Sequence, residues 1–209
     1  MPFLRLISTP FEREVYHRFR YAIYADSVQR GFLSGPEGFD TDEYDASALH
    51  LGWYEGEELV GCVRLLRPIP GPHPLHLFKD LDAGPLREDA FGMLRTAEAE
   101  GITLHEVSRL CLAPSHRSLS TVRRFVLAII AAAHRHGVDR TLFTCDAPHA
   151  AFWLRMGFRI ADGFRGYHRS RTLLASCLLH GSYHELYRLH SAELQRVGLA
   201  LLFPLSSAA

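Results

Sequence analysis

Residues 105–117 read HEVSRLCLAPSHR, an apolar run interrupted by an acid, Glu106, and by a base, Arg109, three positions later. Ionisable groups in an apolar strand need a reason, because burying one unpaired is costly. Side chains alternate across a strand, so positions three apart face opposite ways unless a β-bulge lies between them. With a bulge, Glu106 and Arg109 share a face, and two readings stand. The pair is a buried ion pair, or it is the centre of a site in which Glu106 moves a proton. A bulge also leaves a backbone N–H near Leu110, Cys111 or Leu112 unpaired, which makes it a donor for a developing negative charge.

Other charges fall into the same pattern. Arg64 interrupts the apolar run ELVGCVRLL (58–66) and needs a partner there. The stretch DEYDASALH (42–50) supplies Asp42 and Asp45. These two acids can hold an ammonium group, or they can belong to a solvated loop. Arg20, Arg64 and Arg109 can neutralise them or clamp a ligand carboxylate, since the guanidinium fork matches a carboxylate in two bonds.

The elements that must position these residues follow from periodicity and turn chemistry. Residues 10–30 predict an amphipathic helix after Thr9, with Phe11, Val15, Phe19, Ala22 and Ile23 on its apolar face and Gly31 near its end. Residues 31–47 predict a loop, and 49–55 with 58–66 a hairpin around Gly56-Glu57. Four prolines make 67–76 irregular, and a helix follows over 85–99. A strand at 102–112, a helix at 119–137, a strand at 139–145, a short helix at 148–157 and a strand at 158–169 complete the pattern. That order implies an α/β fold, a mixed sheet with helices on its faces. Residues 184–202 predict further helix, which suggests one domain over 1–170 with a helical extension, 171–209, packed on it.

Composition narrows the class. With 47% hydrophobic residues the chain of 209 can bury a real core. Its 23 basic and 23 acidic residues cancel, which argues against nucleic acid as the main partner. Lys79 is the only lysine, so the cationic side is almost all arginine. Cys62, Cys111, Cys145 and Cys177 are scattered without framework spacing, as expected for reduced thiols in a cytoplasmic protein. The apolar tail 197–205 is too short to span a bilayer and reads as a docking segment. Thirteen histidines suggest no third ligand at convincing spacing beside His180/His184 or His134/His136, so no metal site is expected.

In order, the chain carries Arg20-Tyr21 and Tyr24, Gly31-Phe32, Asp42 and Asp45 with His50, Arg64 in GCVRLL, Phe78, and EVSRL with Glu106 and Arg109. This set, spread over roughly residues 15–160, resembles the acyl-homoserine-lactone synthases and their relatives, the long-chain N-acyl amino acid synthases and exosortase-associated acyltransferases of the GNAT superfamily. Two departures stand out. Gly31-Phe32-Leu33 replaces the tryptophan usual in the lactone synthases, and His50 is closer to the amino acid synthase branch.

The resemblance implies a GNAT-like, mostly antiparallel sheet whose central strands splay apart, and an acyltransferase. It implies acyl transfer from a thioester to the amine of an amino acid or similar molecule, with lactone synthesis from S-adenosylmethionine as the alternative. A non-catalytic acyl-binding module is the rival from another class. Such transfer needs the amine deprotonated, the oxyanion stabilised and the partners held together. Glu106 is then the base, acting with Arg109, while Arg20, Asp42, Asp45, Arg64 and Phe78 bind the substrate. GNAT enzymes hold coenzyme A on a glycine-rich turn; the matching stretch here runs from Arg117 to Val122, with Ser120 and Val122 at the small positions. A β-branched residue hinders close backbone approach, so an acyl carrier protein's phosphopantetheine arm is expected as donor alongside acyl-CoA. No tightly bound cofactor is expected. Leu110, Cys111, Leu112, Arg117, Ser118, Ser120 and Thr121 would meet that donor, the hydroxyls alternatively serving as ordinary helix caps. Phe125, Leu142, Phe143, Phe152 and Trp153 line the expected acyl cleft, or simply pack the core.

Overall fold

The computed structural model describes residues 2–27, 30–169 and 174–197. The apolar tail expected to dock lies outside these residues. Seven strands form one sheet: β1 (Phe3–Leu6), β2 (Ala48–Glu55), β3 (Glu58–Leu66), β4 (Leu104–Leu112), β5 (Arg140–Asp146), β6 (Arg159–Tyr167) and β7 (Ser176–Ser182), in the order β1-β2-β3-β4-β5-β7-β6. The helices are α1 (Pro10–Ala25), α2 (Pro85–Ala99), α3 (Leu119–Arg135), α4 (Ala150–Arg155), α5 (Tyr183–Leu189) and α6 (Ser191–Val197).

The expected elements up to residue 169 are present, with two strands added; the single helix expected over 184–202 is instead two short ones, α5 and α6, separated at His190, and its last five residues lie outside the described residues. β1 pairs antiparallel with β2, and β7 pairs with both β5 and β6. The boundary expected at residue 170 therefore falls between two paired strands, since Tyr167 stands opposite Ser176. β7 reads SCLLHGS, a short apolar run that periodicity alone cannot distinguish from a buried helical turn.

α1 starts where expected. Thr9 accepts from the Glu12 N–H, and the Glu12 carboxylate accepts from the Thr9 N–H, a capping box. It ends earlier, at Ala25, where the Ser27 hydroxyl donates to the Tyr24 carbonyl. Its inward face is also different. Phe11 is 75% exposed and Val15 38%, whereas Tyr16, Arg20 and Tyr24 are buried. The helix thus turns its i, i+4, i+8 row of two tyrosines and an arginine onto the sheet.

The sheet has two covered faces. On one, α3 packs Phe125, Leu127 and Ile130 against Trp53, Val63, Leu65, Leu112 and Phe143. On the other, α2 and the 3-10 turn His76–Lys79 cover Leu66, Leu104, Leu142 and Leu178, and α1 covers Cys62 and Cys111. Glu106 and Arg64 lie on this second face.

At the centre of the sheet two irregularities coincide. Cys62 stands opposite Cys111 and Arg64 opposite Ser108, so Val63 alone faces both Arg109 and Leu110. That is the β-bulge expected between Glu106 and Arg109. Arg109 has φ 53, the only positive value outside glycine among the described residues. Holding a non-glycine there costs about 1–3 kcal/mol, which its side-chain contacts must offset. The second irregularity is between β4 and β5, the one parallel pair among the described residues, whose register runs only from Leu104↔Arg140 to Glu106↔Leu142. β4 continues to Leu112 and β5 to Asp146, so past Glu106 the strands part, as a splayed sheet requires.

Candidate active site

The bulge presents Arg109 on the same face as Glu106, where it joins a closed ionic frame. Arg109 Nε donates to Asp40 Oδ2 at 2.7 Å, and Nη2 donates to the Phe32 carbonyl at 2.6 Å. Arg20 Nε donates to the same Asp40 oxygen at 2.8 Å, and its Nη1 to Asp45 Oδ1 at 2.9 Å. Arg64 grips Asp42 with both terminal nitrogens, each at 2.7 Å, and reaches Asp45 Oδ1 at 2.7 Å and the Ser108 hydroxyl at 2.9 Å. Three guanidiniums meet three carboxylates, all drawn from α1, the loop 30–47, β3 and β4. Arg20, Asp40 and Arg64 are fully buried.

The charges hold one another in their ionic forms. Burial pushes the Asp40 carboxyl up, but Arg109 and Arg20 outweigh it and keep it below the usual carboxylate range. Asp45 behaves likewise between Arg64 and Arg20. His50 joins through an Nε2 contact of 2.9 Å to the Asp45 carbonyl, and burial lowers it to about 4, so it stays neutral. The frame is thus internally balanced, which is what makes burying six charges affordable in free energy.

Glu106 stands beside this frame rather than in it. Among the described residues it has no ion-pair partner within 4.0 Å, so the buried ion pair with Arg109 is not formed. Its Oε2 accepts from the Leu77 N–H at 3.0 Å. Burial raises its pKa to about 8, against the opposing pull of the Leu77 N–H, Arg64 and Arg109. The 3-10 turn that supplies Leu77 also carries Phe78, buried with its ring centroid 4.3 Å from that of Phe91 of α2, the two planes tilted by 35°. Arg87 of α2 clasps this segment by donating to the carbonyls of Pro72, Phe78 and Leu81 at 2.6–2.8 Å.

The remaining candidates divide. Leu110, Cys111 and Leu112 form the free limb of β4 beyond the bulge. Arg117 Nε donates to the Leu112 carbonyl at 3.0 Å, and Ser118 caps α3 by accepting from the Thr121 N–H at 3.2 Å. Ser120 and Thr121 hydroxyls lie 3.0 and 2.8 Å from Ser118 Oγ, so the cap reading is met while Ser118 and Ser120 stay exposed. Phe125 and Phe143 are packed in the α3-side core with Trp153, whose ring centroid is 4.7 Å from Phe143, and Phe152. Leu142 lies on the opposite face, level with Glu106, at a groove of about 1420 Å³ between α2, α5 and β5–β7 whose wall is mostly charged and polar, Glu88, Asp89, Arg140 and Arg159 among them.

Several residues of the site were not singled out in the sequence. Asp40 joins Arg20 to Arg109, yet it sits in an acid-rich loop, PEGFDTDEYD, where nothing distinguishes it from its neighbours. Ser108 alternates correctly with Glu106 and was legible from strand geometry. Arg169, bound to Asp146 at 2.8 Å and lying 5.2 Å over the Phe32 ring, depends on the fold alone.

A family profile, N-acyl amino acid synthase FeeM, matches residues 15–180. Among solved structures, FeeM, an N-acyl amino acid synthase from uncultured soil microbes, is 18% identical with TM-score 0.59, covering 90% of this chain and 94% of that one. BjaI, a CoA-dependent acyl-homoserine lactone synthase, is 15% identical with TM-score 0.67, covering 97% and 92%. An acyl-CoA N-acyltransferase from Pseudomonas aeruginosa is 14% identical with TM-score 0.53, covering 86% and 97%. No curated protein matches by sequence.

Proposed function

The chain belongs to the N-acyl amino acid synthase family, an acyltransferase family, and we propose that it moves a fatty acyl group from a thioester to the amine of an amino acid. One observation carries the reading: an unpaired carboxyl, Glu106, buried where β4 and β5 part and beside a balanced ionic frame. A group poised near neutrality is what proton transfer from an amine requires.

In this reading the amine nitrogen attacks the thioester carbonyl, and its proton passes to the Glu106 carboxylate. A backbone N–H of the free β4 limb, Leu110 to Leu112, meets the oxyanion, a contribution of about 2.7–4 kcal/mol. The C–S bond then breaks and its electron pair leaves with sulfur as a thiolate, which the proton held on Glu106 neutralises. Arg20, Asp40, Asp42, Arg64 and Arg109 act as the rigid wall of the acceptor site. Asp45 keeps 11% side-chain exposure and is the frame carboxylate that can meet an acceptor ammonium. Phe78 shares an apolar cluster with Leu66 and Leu142, and that cluster marks where the acyl chain runs.

The donor is the phosphopantetheine thioester of an acyl carrier protein, with acyl-CoA as the second source. Ser120 and Val122 at the start of α3 favour the single phosphate of the carrier arm over a free pyrophosphate. Four free cysteines fit a cytoplasmic enzyme.

The test is mass spectrometry of lipid extracts from cells overproducing the protein, followed by assay of the purified chain with dodecanoyl thioesters of both donors. A new N-acyl amino acid supports the proposal. A lactone with release of methylthioadenosine would replace it with the homoserine-lactone reading. Absence of any acyl product would leave the non-catalytic module.

A further inference from the structure

β6 departs from the alternation of a regular strand. Ala161, Phe164 and Tyr167 are all buried, three residues apart, on a strand whose side chains should alternate. The strand keeps them on one face by two register irregularities, one between Ile160 and Arg165 and one between Arg165 and Tyr167. Gly163 and Gly166 supply the left-handed turns these need, at φ 77 and 71. All three side chains thereby join the cluster of Leu66, Phe78 and Leu142 around Glu106.

For Ala161 and Phe164 that placement is ordinary core packing. For Tyr167 it is not. The residue is 7% exposed, and its hydroxyl has no hydrogen-bond partner among the described residues. A buried hydroxyl without a partner costs about 1–3 kcal/mol, and phenylalanine would fill the same space without that cost. Tyr16 and Tyr44, also buried, donate to the Val63 and His73 carbonyls at 2.8 Å each, whereas Tyr183, whose hydroxyl is likewise unpartnered among the described residues, lies in the α3-side core away from Glu106. Its ring shares the cluster of Leu66 and Leu142, the two residues that stand opposite Glu106 on β3 and β5. Arg169 is committed to Asp146, Ser176 and Thr144.

We propose that Tyr167 contacts the substrate, its hydroxyl oxygen accepting a hydrogen bond from the reacting amine of the acyl acceptor beside Glu106. The inference rests on the N-acyltransferase reading and names a residue for its acceptor side. An amine has N–H groups to offer a phenol oxygen, and Glu106 across the same cluster can take a second one. With one N–H held by the phenol and another directed at Glu106, the nitrogen lone pair is free to point at the thioester carbonyl. Tyr167 exchanges no proton: the C–N bond forms, Glu106 takes the amine proton, and the C–S electron pair leaves with sulfur. Burial raises the phenol well above its ordinary value, so it stays neutral throughout.

Tyr167→Phe tests this, because it removes only the oxygen. Steady-state kinetics would use free L-amino acids with dodecanoyl thioesters of coenzyme A and of acyl carrier protein. The expected result is a 10- to 100-fold fall in kcat/KM for the acceptor, an unchanged donor KM, and a melting temperature equal to or above wild type. An acceptor kcat/KM within twofold of wild type overturns the assignment, as does an effect confined to donor KM or a lowered melting temperature. Calorimetric titration with the same amino acids separates the two layers of the argument. If wild type binds an amino acid without transferring acyl groups, and Tyr167→Phe binds it at least tenfold more weakly, the acyltransferase reading fails and the contact stands. Equal binding by both proteins removes the contact.

Discussion

Glu106 concentrates the chemistry into a single titration. Its carboxyl is protonated below about 8 in the folded chain and must ionise to accept a proton. Activity should therefore climb with pH and level off above about 8, a profile read from kcat/KM between pH 6 and 10. Stability should move the other way. The folded state binds the proton more tightly than the unfolded chain, whose carboxyl titrates near 4.5, so stability is full below that value and declines as pH rises to about 8. Glu106→Gln, a neutral mimic of the protonated form, should lower kcat by about 10²–10⁴-fold while raising the melting temperature at pH 9. Retained turnover in that variant would remove Glu106 as the base. Asp40 makes the opposite case. Asp40→Asn strips the shared counter-ion from two buried arginines and should cost about 3–5 kcal/mol in denaturant unfolding. A loss under 1 kcal/mol would mean the frame is not the closed unit described above.

At the scale of elements, the site depends on segments that do not contain its chemistry. α2 holds the 3-10 turn through Arg87, and that turn offers the Leu77 N–H to Glu106. Arg87→Ala should loosen the segment and weaken this bond, which favours the ionised carboxylate. The expected signature is an upward shift in the pH midpoint of activity together with a roughly tenfold loss at pH 7. A lower rate with an unmoved midpoint would point to general destabilisation instead. α1 makes a related point about reading patterns. Its leucine-like residues suggested one apolar face, but the buried row is Tyr16, Arg20 and Tyr24. Tyr16 donates to the carbonyl of Val63, the residue opposite the bulge, and Arg20 completes the frame. The helix was therefore oriented by hydrogen-bonding demand at the sheet's irregular centre, which hydropathy does not register.

For the molecule as a whole, one parallel joint divides the sheet, and its short register is what opens the site. Around that opening the core is closed. Cys62 and Cys111 lie 3.3 Å apart, sulfur to sulfur, beneath α1, and Cys145 and Cys177 are buried in the α3-side core. Burial pushes the Cys145 thiol up to about 12 and holds the Cys62 thiol well above its ordinary value. All four should resist Ellman's reagent in the native protein and react together on denaturation, since reactivity needs an accessible thiolate. Rapid labelling of one thiol under native conditions would mark a core that opens locally.

From the sequence alone came the helices and strands with strong periodicity, the bulge between Glu106 and Arg109, and the suspicion that Arg20, Arg64, Asp42 and Asp45 belonged together. These were legible because charge inside an apolar strand is expensive and must be answered nearby. The tertiary structure decided who answers whom. It set Asp40 between Arg20 and Arg109, left Glu106 without a counter-ion, inserted β7 between β5 and β6, and brought Tyr167 to the same cluster. Those pairings join residues tens of positions apart, and only the packing of α1, α2 and the splayed sheet brings them within a bond's length.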